Sequence, residues 1–119
     1  MLLAGAVLVA ALAIVATGSA AGGQKLTLRA DPDGALKFTK KTVNAKPGKA
    51  TFTFINPSGS GVPHALEVEG KGIEKKTRTL SAGKKASFSV RLKAGTYTFY
   101  CPVDGHRAAG MKGKVVVKK

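Results

Sequence analysis

The chain predicts an all-β fold: a sandwich or barrel of seven to eight short strands, preceded by an N-terminal apolar signal or anchor helix. Three observations carry this reading. Apolar and polar residues alternate with a period of two in short runs beyond Gln24. Gly, Pro, Asn and Asp punctuate those runs, as turns between strands require. About 98 residues remain once a leader is set aside, enough for one small core and no more.

Residues 2–16 carry no charge and are almost wholly apolar, and Gly18, Ser19, Ala20 and Ala21 follow. An apolar run ending in a small-x-small site is the pattern of a secretory signal cut near Ala20 or Ala21. The run is short for a membrane span, which needs about 20 apolar residues. No Lys or Arg precedes it, so retention as an N-terminal anchor is the alternative. The expected division is therefore 1–21 as signal or anchor and 22–119 as the folded domain, outside the cytoplasm.

The strand candidates follow in order. Lys25–Ala30 sets Leu26 and Leu28 on one face, and Asp31-Pro32-Asp33-Gly34 turns the chain. Leu36–Phe38 and Thr42–Ala45 are short candidates, with a turn at Lys46-Pro47-Gly48-Lys49. Ala50–Asn56 places Phe52 and Phe54 opposite Thr51 and Thr53, and a Gly/Ser loop spans Pro57–Pro63. His64–Glu69 alternates Leu66 and Val68 with Glu67 and Glu69. Lys84–Leu92 turns Ala86, Phe88, Val90 and Leu92 inward. Thr96–Tyr100 and Gly113–Lys118 complete the set.

Parity adds a functional consequence, because side chains two apart on a strand share a face. His64 has the parity of Leu66 and Val68, and Cys101 that of Tyr97 and Phe99. Both point into the core from strands distant in sequence. His106 and Met111 follow Cys101 at intervals of five residues on one loop. Taken singly, a buried thiol is a small apolar residue, a strand histidine is structural, and a methionine is packing. Taken together, one thiolate, two imidazoles and a weak thioether are the ligand set of a type 1 copper site. Soft sulfur suits Cu(I) and imidazole suits Cu(II), so one frame accommodates both. Zinc takes the same Cys and His ligands, although copper binds more tightly in general. The only cysteine excludes an internal disulfide, and metal ligation explains a lone thiol in an exported domain.

The segment Gly95-Thr96-Tyr97-Thr98-Phe99-Tyr100-Cys101, with His106, Met111 and the upstream His64, resembles the cupredoxins, the plastocyanin–azurin–auracyanin group of type 1 copper proteins. The resemblance covers the mature domain in outline and implies a Greek-key sandwich. It implies copper ligation by His64, Cys101, His106 and Met111, with the His106 edge as electron port. Pro63, Pro102, Val103, Ala108 and Ala109 would form an apolar ring around that edge. Tyr97 is either a tyrosine corner or plain core packing. The loop spacings are closer to auracyanin-like and phytocyanin-like proteins than to plastocyanin or azurin. Ala65 stands where many cupredoxins carry Asn or Asp after the first histidine. No partner exists for the disulfide of azurin and phytocyanins.

The expected function is single-electron transfer between extracytoplasmic redox partners by copper cycling, without catalysis by the domain itself. Two histidines are too few for multicopper oxidases and nitrite reductases, and one cysteine too few for a dinuclear copper centre. The rival is a copper carrier or resistance protein, against which stands the absence of Met-rich or His-rich tracts. The net charge of +14 lies wholly beyond Gln24. It suits a soluble surface, redox partners with acidic docking surfaces, or an anionic membrane or cell wall. Nucleic acid is disfavoured, since the cations form no single run. A monomer is expected.

Overall fold

A computed structural model describes residues 23–119; the expected leader, 1–21, lies outside the described residues. Eight strands form, in chain order β1 (Gln24–Arg29), β2 (Thr42–Ala45), β3 (Gly48–Ile55), β4 (Glu67–Gly70), β5 (Ile73–Lys76), β6 (Lys85–Leu92), β7 (Gly95–Tyr100) and β8 (Lys112–Val117). They build a three-stranded sheet in the order β1-β3-β6 and a five-stranded sheet in the order β2-β8-β7-β4-β5. The pairs β1–β3 and β2–β8 are parallel, and the other neighbours antiparallel. Connections that leave a sheet and return are the Greek-key pattern of a β-sandwich.

Alternation explains which face each strand buries. Phe52, Phe54, Tyr97, Phe99, Val115 and Val117 face the interface between the sheets, and Thr51, Thr53, Lys114 and Val116 face away from it. Phe38 ties the layers together. Its ring meets Phe54 of β3 edge-on at 5.8 Å and Phe99 of β7 at 5.1 Å, so one side chain contacts both sheets. At β8, Gly113 lies opposite Phe99 in the ladder. A Cβ there would collide with the Phe99 ring and the Lys41 carbonyl, so the close approach of strand and ring requires glycine.

Phe38→Ala is expected to cost about 3–5 kcal/mol, the usual range for removing a buried phenylalanine. Thermal unfolding should fall by roughly 15 °C or more. Phe88→Ala should cost clearly less, because Phe88 is only half-buried on the edge strand β6. Equal losses would show that Phe38 is not the link between the layers.

The structure corrects the strand assignments in four places. Leu36–Phe38 is no strand; Phe38 makes a single antiparallel bridge to Ala30. The strand expected from His64 begins only at Glu67, and Ala65 and Glu67 are buried along with His64, Leu66 and Val68. Strict alternation fails there because the segment is covered on both sides. Ala86, Phe88 and Val90 are half-buried, as an edge strand allows. The strand β5 was not anticipated; a two-residue hairpin turn precedes it, with Lys71 at φ 50° and Gly72 at φ 81°. Two successive positive φ values make a type I′ turn, and Gly-Lys-Gly before an isoleucine was its sequence signal. Tyr97 is settled as a tyrosine corner: its hydroxyl accepts from the Lys93 N–H at 2.9 Å and donates to the Lys93 carbonyl at 3.3 Å.

Candidate metal centre

His64 reaches the site from a segment held at both ends. Its backbone N–H donates to the Leu80 carbonyl at 3.1 Å, and the Leu80 N–H returns to the His64 carbonyl at 2.7 Å. Two residues on, Leu66 N–H donates to Thr77 Oγ1 at 3.1 Å and Thr77 N–H to the Leu66 carbonyl at 2.9 Å.

Behind this bridge lies Asn56, fully buried at the end of β3. Its amide donates to the Val62 carbonyl at 2.8 Å and the Leu80 carbonyl at 2.9 Å, and its Oδ1 accepts from Ser60 Oγ at 2.6 Å. One amide thus joins the end of β3, the 57–63 loop and the strand partner of His64. Sequence reasoning missed Asn56, Thr77 and Leu80. The available signal was a polar residue closing an apolar strand just before the loop that leads to His64.

Cys101 sits directly after β7, and its N–H donates to the Met111 carbonyl at 3.1 Å. The loop between them therefore closes on itself. Inside it the His106 N–H donates to the Val103 carbonyl at 3.0 Å, and the Met111 N–H to the His106 carbonyl at 3.1 Å. Cys101 and Met111 are wholly buried, as is His64, while His106 retains 9% exposure. Pro63, Ala108 and Ala109 are exposed, and Pro102 and Val103 half-buried.

The three donors form a small triangle. His64 Nδ1 lies 3.2 Å from His106 Nδ1, Cys101 Sγ lies 3.4 Å from His106 Nδ1, and Sγ lies 3.8 Å from His64 Nδ1. A point about 2 Å from all three exists inside it, which matches metal–nitrogen and metal–sulfur bond lengths of roughly 2.0–2.3 Å. The backbone N–H of Ala65 donates to Cys101 Sγ at 3.4 Å. Position 65 thus supports the sulfur through its backbone, which alanine supplies as well as asparagine. Side-chain bracing of the His64 segment falls to Asn56, through the Val62 and Leu80 carbonyls.

Electrostatics suit a soft cation. Burial, then the neighbouring His106, lowers the His64 pKa below its ordinary value, so the imidazole is neutral and its lone pair free at neutral pH. Burial pushes the Cys101 thiol up, opposed by the backbone N–H groups of Ala65 and Val103. Without an ion the thiol holds its proton, and an ion that takes the thiolate must expel it. The apparent copper affinity is therefore expected to rise about tenfold per pH unit between roughly pH 6.5 and 8, with about one proton released per ion. Potentiometry during a copper titration checks this, and a pH-independent affinity would mean that no thiol proton is displaced.

A second cluster, Glu67, Glu69 and Glu74, also brings its donor atoms within 4.8 Å of one another. It lies on the outer face of β4 and β5, where the Tyr100 hydroxyl donates to Glu69 at 3.0 Å. Hydrogen bonding to Glu67, then repulsion from Glu67 and Glu69, raises the Glu74 pKa.

A model of the copper binding proteins of the plastocyanin/azurin family matches residues 24–118. The chain belongs to this family. As a cupredoxin, it is similar to the chloroplastic plastocyanin of Chlamydomonas reinhardtii, 33% identical over 93 residues, covering 71% of this chain and 61% of that protein. It is 31% identical over 98 residues to the plastocyanin of Dryopteris crassirhizoma, covering 74% of this chain and 94% of that one. In structure it is similar to auracyanin B, with a TM-score of 0.72 at 26% identity, over 81% of this chain and 89% of that one. Copper is thus the metal of this cupredoxin's family, and the donor triangle fits it.

Proposed function

We propose that this cupredoxin is a one-electron carrier in which His64, Cys101 and His106 would hold one copper ion, with the Met111 thioether as a weaker donor. The single observation that carries the reading is the buried Nδ1–Nδ1–Sγ triangle, already closed to bonding size around a common centre. Copper, when bound, supplies the electron by alternating between Cu(I) and Cu(II). The protein's part is to keep the donors still. The His64–Leu80 bridge and the Cys101–Met111 bond anchor the two ligand segments through backbone, so little of the frame needs to move. Burial of His64 and Cys101 excludes water, and His106 alone among the donors of the triangle keeps an edge toward solvent.

Burial of the donors also weighs against a carrier that must release its ion readily to a recipient. The decisive experiment is an optical and spin-resonance titration with Cu(II), followed by ascorbate and re-oxidation. An intense visible band that bleaches and returns over many cycles supports electron carriage. A site that takes copper but loses it on reduction would support ion handling instead.

Met111→Gln is expected to lower the reduction potential while copper stays bound, because an amide oxygen is a harder and stronger donor than a thioether and would favour Cu(II). Voltammetry of the two proteins checks this, and an unchanged potential would remove Met111 from the donor set. The domain acts as a monomer outside the cytoplasm, with no catalysis of its own. Its net charge of +14 attracts acidic redox partners and speeds their encounter.

A further inference from the structure

The cations are not spread evenly over the five-stranded sheet. Lys41, Lys112, Lys114 and Arg107 line one open cleft of about 650 Å³, with Thr42 and Thr98 among its walls. Register places them there: Lys114 lies opposite Thr42 of β2 on one side and Thr98 of β7 on the other. Lys112 lies opposite Tyr100, over whose ring the Arg107 guanidinium stacks at 3.9 Å. Arg107 belongs to the loop that carries His106, so one wall of the cleft is formed by that loop.

The same sheet face changes sign across its strands. Beyond Thr98 the ladder reaches Glu69 and then Glu74, and beyond Tyr100 it reaches the buried Glu67 and then Lys76. The carboxylates therefore sit one to two strands from the cleft, about 5–10 Å at ordinary strand spacing. A flat anionic surface pressed on this face would meet Glu69 and Glu74 together with the lysines. A narrow acidic segment that enters the cleft meets cations, hydroxyls and two glycines, and no carboxylate.

We infer that this cleft is the docking groove for an acidic segment of the redox partner, a run of Asp or Glu side chains that seats beside the Arg107 wall of the copper loop. The inference rests on the electron-carrier reading and names the partner's chemistry and the place it binds. Four positive charges on one cleft supply the attraction, and the Glu69–Glu74 row beside it fixes the direction of approach by repulsion.

Hexaglutamate serves as the probe, titrated by amide NMR into the Cu(I)-loaded protein at low salt. Shifts are expected to cluster at 41–42, 98 and 107–114. The double variant Lys112→Glu/Lys114→Glu should bind about tenfold more weakly, and Lys84→Glu/Lys85→Glu, with the same net charge, less than about twofold. Equal losses in the two variants, or scattered shifts, would overturn the inference in favour of net charge alone. The same fingerprint from phosphatidylglycerol vesicles would assign the cleft to a membrane and overturn it too, as would equal affinity for free phosphate. The visible band is recorded on the re-oxidised samples, so a failure of the copper reading is distinguished from a failure to dock.

Discussion

Replacing Cys101 by serine abolishes the intense visible absorption of the copper-loaded protein and weakens copper binding by at least about 100-fold. The reasoning is chemical. Serine preserves the size of the side chain and its inward direction but holds its proton far above neutral pH. The triangle then loses its soft anionic corner and its only negative charge. The effect should exceed the roughly 10–100-fold typical of residues that merely support a ligand. The fold should survive, since Cys101 is one small member of a core dominated by phenylalanine, leucine and valine. Absorption and competition with a chelator measure both effects, with circular dichroism as the check on folding. A serine variant that keeps the band would show that the colour arises elsewhere.

Asn56→Ala is expected to damage both stability and copper affinity. The substitution removes two donors to the Val62 and Leu80 carbonyls and the acceptor for Ser60, all within the protein interior. Each carbonyl keeps one other partner, Ser60 Oγ at 3.2 Å or the His64 N–H at 3.1 Å, so the loss is partial. About 2–4 kcal/mol follows from three broken buried hydrogen bonds and a small cavity, or roughly 10 °C in thermal unfolding. Because Leu80 holds His64, copper affinity should fall about tenfold as well. Asn56→Asp retains the acceptor for Ser60 but sets a carboxylate against two carbonyl oxygens, so it should be no better. If either variant loses stability while copper affinity is unchanged, Asn56 supports the loop but does not position His64.

Much of this protein was legible along the chain. Alternation identified β1, β2, β3, β6, β7 and β8 to within one or two residues. Parity turned Cys101 inward, and it is wholly buried; His64 is wholly buried too, but so are its neighbours of either parity. The assignment failed where residues are ordered by something other than their own strand. Leu36–Phe38 looks like a strand because Phe38 is buried, yet its burial comes from two sheets at once. The His64 segment is bridged to Leu80 and covered on both sides, so its period of two disappears. The strand β5 has one half-buried residue and three exposed ones, and an edge strand so polar leaves little hydrophobic pattern to read.

By itself the sequence determined the donor types, the strand period that aims Cys101 inward, and the excess of positive charge. Tertiary structure alone decided that His64, 37 residues from Cys101, comes within 3.8 Å of it. It also decided that Asn56 braces the site and that four cations share one cleft. The physical reason is that periodicity records which face a side chain takes on its own strand. Which strands become neighbours is settled by how the two layers bury their apolar faces together, and no local run of residues contains that.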